Sequence, residues 1–217
     1  MTVFLRALYK NQMKQLGVTV VMGQKARLDS ILPLKPDAVI VATGSRHSIP
    51  DIRGIDKPNV FFARDVIAET ADVAGESIVV VGGGLVGCDT ALFLSVKKRK
   101  RVTIVEQFAL EELGFEPYDA NHMDLMKMLD ENKVKTIAET KAEEITDAGV
   151  RVTDKNGKTH EISADAVVIA VGASADNLLT EALKGKVPRL RVIGDAAEPG
   201  RKILNAIHEG FHIAAML

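Results

Sequence analysis

The sequence predicts an α/β fold in which a parallel sheet, covered on both faces, carries a small antiparallel meander. Three observations lead there. Short runs rich in Val and Ile alternate with helical segments along most of the chain. Several of those runs are apolar throughout and end at glycine, as strands buried on both faces do. Between about residues 134 and 162 the pattern changes to closely spaced short strands with turns between them.

The elements follow in order. Thr2–Leu16 reads as a helix, Thr19–Met22 as a strand and Ala38–Ala42 as a buried strand. Ser45–Pro58, punctuated by Pro50, Gly54 and Pro58, reads as a connection. Ser77–Val81, Val102–Glu106, Ala166–Val171 and Leu190–Ile193 read as further strands. Leu85–Val96, Asp119–Asn132 and Ile203–Leu217 read as helices, the second with a Met123, Met126 and Leu129 core stripe. The meander comprises Val134–Ala138, Lys141–Ile145, Val150–Thr153 and Thr159–Ile162. Asn156-Gly157 is its hairpin signal, because both residues tolerate positive φ. An internal echo, DAVIVATGS at 37–45 and DAVVIAVGAS at 165–174, suggests two related half-folds. Boundaries are expected near Gly75 and Lys184.

Composition narrows the function. With 217 residues, 47% apolar and 26% charged, the chain can bury a core, so disorder is excluded. A net charge of -1 gives no case for nucleic acid or an anionic membrane. The single cysteine, Cys88, excludes an internal disulfide framework and a CxxC pair, and suits a reducing, cytoplasmic setting. No apolar run is long enough to span a bilayer, and no signal peptide is visible.

The most informative stretch is Val79 to Gly87, which places Gly82, Gly84 and Gly87 in G-x-G-x-x-G spacing between a strand and a helix. Gly82 permits the tight turn. Gly84, next to Gly83, lets backbone approach a pyrophosphate, and Gly87 lets helix and sheet pack closely. The helix that begins at Leu85 and Val86 would direct its free N–H groups and positive dipole end at the phosphates. Glu106 ends the next strand, 19 residues after Gly87, where a carboxylate accepts from a ribose 2′-hydroxyl and repels a 2′-phosphate. This favours NAD over NADP. The run Lys97–Arg101, all positive, reads as a solvated helix end, with attraction for a 2′-phosphate as the other reading. Cys88 reads as a small side chain packed under the loop rather than a reactive thiol. His208-Glu209-Gly210-Phe211-His212 matches H-E-x-x-H, a zinc hydrolase pattern, but Gly210 weakens such a helix and the chain supplies no third ligand downstream. No metal site is expected.

With these residues in place, VIVATGS, VVVGGGLVGCDTALFL followed by VTIVE, ADAVVIAVGAS and VIGDAAEPGRKILNAIHEG occur in an order that resembles two-dinucleotide flavoprotein reductases. The last segment most resembles the C-terminal part of the multidomain NADH:flavin oxidoreductases, which include 2,4-dienoyl-CoA reductase, 2-enoate reductase and trimethylamine dehydrogenase. The resemblance implies a Rossmann-like NAD(P)H-binding domain over residues 75–182, inserted in a truncated FAD-binding Rossmann-like domain over 1–74 and 183–217. It implies that Asp89 and Gly172 border the NAD site, that Thr43 and Gly44 lie by the flavin-side crossover, and that Gly194 and Asp195 meet FAD. The family's own opening phosphate loop has no counterpart in this sequence. Asp89 stands where relatives carry Glu, and Arg99 where they carry a helix-ending glycine. The expectation is therefore an NADH-binding and partial FAD-binding module. It would pass hydride to FAD for a substrate, such as an enoate or dienoyl thioester, on a separate domain or partner chain. A non-catalytic NAD or ADP module is the alternative. Self-association is expected, since a sheet lacking a strand exposes an edge.

Overall fold

A computed structural model describes residues 2–114, 121–200 and 202–217. The chain passes through α1 (Thr2–Gln15), α2 (Leu28–Ile31), β1 (Val39–Val41), β2 (Ser45–His47), β3 (Val60–Phe62) and α3 (Ala63–Ile67). It continues through β4 (Ser77–Val81), α4 (Leu85–Leu92), β5 (Arg101–Val105), α5 (His122–Glu131) and β6 (Lys135–Ile137). The rest comprises β7 (Thr140–Ile145), β8 (Gly149–Asp154), β9 (Thr159–Ser163), β10 (Ala166–Ile169), β11 (Ala173–Ala175), α6 (Leu178–Leu183), β12 (Leu190–Val192) and α7 (Ile203–Ala215). Among the described residues no helix is long and apolar enough to cross a membrane.

The central element is a parallel five-stranded sheet in the order β3-β10-β4-β5-β6. Its strands are apolar because both faces are covered. Along β4, Ile78 and Val80 pack with Cys88, Ala91, Leu94, Leu125 and Leu129 on the helical side. Val79 and Val81 alternate to the other side and pack with Ala142, Ile145, Val150 and Val152 of the antiparallel sheet β7-β8-β9. Period-two alternation in a strand thus serves two cores at once. Asp165 fastens the entrance of this sheet: its Oδ2 accepts from the Glu76 and Ser77 N–H groups, each at 2.8 Å.

Several expectations are corrected. Thr19–Met22 is not a strand. Val20, Val21 and Met22 are 53%, 66% and 83% exposed, and no described strand lies beside them to take their backbone groups. The 134–138 run belongs to the parallel sheet as β6, not to the meander. In the hairpin only Gly157 adopts positive φ (+78°), while Asp154 Oδ1 accepts from the N–H groups of Asn156 and Lys158. The core stripe of α5 holds Leu125 and Leu129, with Met126 partly buried against them, and only Met123 of the expected stripe departs from it, at 82% exposed. Residues 119 and 120 of that expected helix lie outside the described residues. β3 and α3, which precede the expected boundary at 75, join the central sheet and its core.

The two echo segments form β1 and β10 and lie in different sheets. The strands that begin at the ends of these segments, β2 and β11, pair antiparallel with one another, Ser45 opposite Ala175 and His47 opposite Ala173. β1 pairs in parallel with β12, which places Val41 opposite Val192.

After α4 the chain makes a π-helical turn over Phe93–Lys97, with the ammonium groups of Lys97 and Lys98 5.5 and 5.6 Å from the Phe93 ring centroid. Arg99 then takes φ +56°, the left-handed conformation that a glycine would adopt without steric cost. Arg99→Gly is expected to stabilise the fold by about 0.5 kcal/mol, the relief of strain less the added freedom of the unfolded chain. A shifted denaturation midpoint at constant m-value measures it.

Candidate dinucleotide site

The carboxyl ends of β10, β4 and β5 open into one cleft of about 750 Å³. Clefts at this edge of a parallel sheet receive the loops that follow each strand. Here those loops contribute Gly82, Gly84, Leu85 and Val86 after β4, Glu106 after β5, and Ala170 to Gly172 after β10.

The loop geometry explains its glycines. Gly82 has φ +103°, and a Cβ there would lie 2.7 Å from Ala170 O, so neither the turn nor the neighbouring strand admits a side chain. A Cβ at Gly87 would stand 2.0 Å from Gly82 O, which shows how closely α4 packs beneath the loop. Gly84 differs. It is the N-cap of α4, it is exposed, and a Cβ there would meet nothing within 4 Å. The open space in front of Gly84 lies at the positive end of α4, where the first-turn N–H groups have no intrahelical acceptor.

Gly83 faces inward. Its N–H donates to Glu106 Oε2 at 2.5 Å, and its carbonyl accepts from Gly114 N–H at 2.7 Å and from Cys88 Sγ at 3.4 Å. Glu106 is buried at the cleft floor, and its Oε1 accepts from Phe108 N–H at 3.0 Å. This one carboxylate therefore joins the glycine loop to the loop after β5. Cys88 is fully buried. Desolvation, with Asp89 and Glu106 nearby, pushes its thiol up to about 12, so it is no thiolate at neutral pH. Asp89 stands one turn into α4 and outside the cleft lining, and partial burial raises its carboxyl above the usual aspartate value. The basic run sits at the opposite end of β5, with Lys98 paired to Glu69 at 2.9 Å and Lys100 donating to Gly75 O at 2.6 Å.

A second, smaller cleft of about 410 Å³ lies at the tips of β1 and β12 and includes Gly44, Gly194, Asp195 and Lys202. Asp195 Oδ2 accepts from Ser45 Oγ at 3.1 Å. Thr43 Oγ1 donates to Asp176 O at 2.8 Å, so it braces the crossover and does not line this cleft. Arg46 pairs with Asp176 at 2.8 Å and holds that carboxyl below its usual range. Glu209 of the H-E-x-x-H match lies in α7 and accepts from Gly194 N–H at 2.6 Å, which fixes the turn after β12. Among the described residues no three His, Cys, Asp or Glu side chains gather as a metal site.

Sequence reasoning overlooked several residues of the larger cleft. Pro50 and Ile52 reach it from the 45–58 connection, and Phe108 and Lys141 from beyond Glu106 and from the meander. Only Phe108 left a signal, as an apolar ring two residues past the acid.

A family model described as pyridine nucleotide-disulphide oxidoreductase matches residues 5–198. The chain is 39% identical over 207 residues to an NADH oxidase of Thermoanaerobacter brockii, covering 94% of this chain and 31% of that protein. It is 36% identical to a cinnamate reductase of Clostridium sporogenes, over 95% of this chain and 30% of that one. It superposes on a 2-naphthoyl-CoA reductase complex with 2-naphthoyl-CoA at a TM-score of 0.87 and 31% identity, covering 96% of this chain and 31% of that one. Histamine dehydrogenase from Rhizobium sp. 4-9, at 20% identity and a TM-score of 0.77, shares the fold. The chain thus spans about a third of the length of these relatives.

Proposed function

Because the chain belongs to the pyridine nucleotide-disulphide oxidoreductase family, whose cofactors are NAD(H) and FAD, we propose that it is the NADH-docking module of a larger flavin-dependent reductase. As a coarse assignment it is a flavin-dependent pyridine nucleotide oxidoreductase domain. The observation that carries the finer reading is the pairing of an open Gly84 at the head of α4 with Glu106 at the tip of the next strand. The donor set fits a dinucleotide. Leu85 and Val86 offer backbone N–H groups to a pyrophosphate. Glu106, with two backbone donors already bound, keeps lone pairs for a ribose hydroxyl. Gly172 also lines the cleft, and we assign it to the nicotinamide end. Gly44, Gly194 and Asp195 supply part of an FAD site, with the Ser45 hydroxyl orienting the Asp195 carboxylate.

Gly84, Leu85, Val86 and Glu106 would hold the dinucleotide, which would supply a hydride, and Gly44, Gly194 and Asp195 would hold part of the flavin nucleotide that would accept it. The chain's own residues bind, orient and brace, and we assign none of them as acid, base or nucleophile. Reduction of an activated double bond, as in an enoate or aromatic thioester, would take place on the portion of the enzyme outside this chain. The names of the cinnamate and 2-naphthoyl-CoA reductases support that class. The second reading, a nucleotide module that holds no flavin, is favoured by the smaller volume of the flavin-side cleft, about 410 against 750 Å³.

Calorimetric titration with NADH, NADPH and FAD tests both. The expected result is NADH binding that exceeds NADPH binding by tenfold or more. Absence of NADH binding would overturn the assignment. A yellow protein bleached by NADH would eliminate the flavin-free reading.

A further inference from the structure

Behind the glycine loop, the chain that follows β5 doubles back and inserts a side chain beneath it. Leu113 is fully buried, in the core that also holds Cys88, Leu125 and Leu129. Its Cδ1 stands so close to Gly83 that a Cβ there would lie 2.3 Å away. This wedge is held in turn by α5. Leu113 O accepts from His122 Nε2 at 2.8 Å, and a Cβ on Gly114 would meet Leu125 Cδ2 at 2.7 Å. Gly114 takes φ +60°, a left-handed turn that brings its N–H to the Gly83 carbonyl at 2.7 Å.

That bond decides which way the next amide points. The Gly83–Gly84 peptide is trans, so the C=O of Gly83 and the N–H of Gly84 point in opposite directions. The carbonyl is drawn inward by Gly114 N–H and by Cys88 Sγ at 3.4 Å. The Gly84 N–H is therefore directed outward, on the side of the open space at the head of α4. We propose that Leu113 and Gly114 are positioning residues for the dinucleotide: as a wedge under Gly83 they set the plane of the Gly83–Gly84 peptide, so that Gly84 N–H joins the helix-end donors aimed at a phosphate. This rests on the dinucleotide reading above. Both residues act through Gly83 and not by touching the ligand. Without the wedge, a run of three glycines turns its peptides over at little steric cost and presents a carbonyl oxygen to the anion. With it, the donor is fixed before the ligand arrives, which removes an ordering cost from binding.

NMR of the backbone amides during titration with ADP, and with adenosine, which carries no phosphate, tests the wedge. In the unaltered chain ADP is expected to move the Gly84 amide proton downfield, and adenosine to leave it in place. Leu113→Ala should weaken ADP about tenfold, the loss of one hydrogen bond to a charged group, and change adenosine by less than about twofold. A purely structural role would weaken both ligands alike, and that result would overturn the proposal. Leu113→Met refills the slot and should restore both ADP binding and the Gly84 shift. If Leu113→Ala does not fold, Cys88→Ala removes one of the two donors to the Gly83 carbonyl and leaves the wedge in place. It should give the same selective loss in smaller measure, with Cys88→Ser restoring it. If the unaltered chain binds ADP and the folded variants bind it equally well, with the Gly84 amide still shifted, the wedge is overturned and the dinucleotide reading stands. If the unaltered chain binds neither ADP nor NADH, both fall together.

Discussion

Gly84→Val is expected to weaken NADH binding about a hundredfold and leave the fold intact, whereas Gly87→Val weakens both binding and stability. The two glycines sit three residues apart in one motif, yet their surroundings are opposite. A Cβ at Gly84 meets nothing within 4 Å, and its φ of -64° suits any residue. Valine there costs only what an N-cap glycine contributes over an apolar residue, at most about 1 kcal/mol. Its methyl groups would occupy the space through which a pyrophosphate reaches the first turn of α4. Losing two charge-assisted hydrogen bonds weakens binding on the order of a hundredfold. At Gly87 the added Cβ lies 2.0 Å from Gly82 O, a backbone atom that cannot swing aside. The helix must move off the loop, at about 3 kcal/mol, which lowers Tm by roughly 10 °C in a chain of this size. Parallel melting curves and NADH titrations separate the two. Equal loss of stability in both variants would show that Gly84 is a packing glycine, not a ligand-facing one.

The second large effect is expected at Glu106. Its carboxylate accepts from Gly83 and Phe108 at the same time, and it is 8% exposed. Glu106→Gln preserves shape but replaces one acceptor oxygen with a donor. One of the two backbone N–H groups then faces another N–H, at about 2 kcal/mol. Denaturant unfolding should show that loss even without ligand. NADH affinity should fall about tenfold through the ribose contact, and NADPH should lose less, because the charge that repels its 2′-phosphate is gone. Unchanged stability would mean that the carboxylate does not join the two loops. An unchanged NADH to NADPH ratio would remove Glu106 from cofactor choice.

What the sequence made legible follows from how local each signal is. β4, the glycine loop, α4 and β5 form a continuous unit in which a short apolar strand, a turn and a capped helix each carry their own residue pattern. That unit was readable from Ser77 to Glu106. β3 was not, because Val60–Phe62 has three residues and becomes a strand only by pairing with β10. The reverse holds for 19–22, where β-branched residues signal a strand but no described partner accepts it. β6 shows the same dependence: its length and composition match the meander, and its pairing with β5 places it elsewhere. In the site, Gly82, Gly84 and Glu106 lay in one motif, whereas Pro50, Ile52 and Lys141 reach the cleft only through the tertiary path of their segments.

The β2–β11 pairing has a mechanical consequence. The chain crosses between the β1–β12 pair and the five-stranded sheet along two strands that lie side by side and are tied together. Ser48 N–H adds a bond to Gly172 O at 3.2 Å, and Arg46 adds its ion pair with Asp176. Such a ribbon resists stretching and sideways slip, because either would break the cross-links in step. It yields most easily to torsion, the soft mode of a two-stranded ribbon. The strap is rooted at Gly172 beside one cleft and at Ser45 beside the other. A swivel about its long axis would change the angle between the two clefts while their anchor points keep a nearly constant separation.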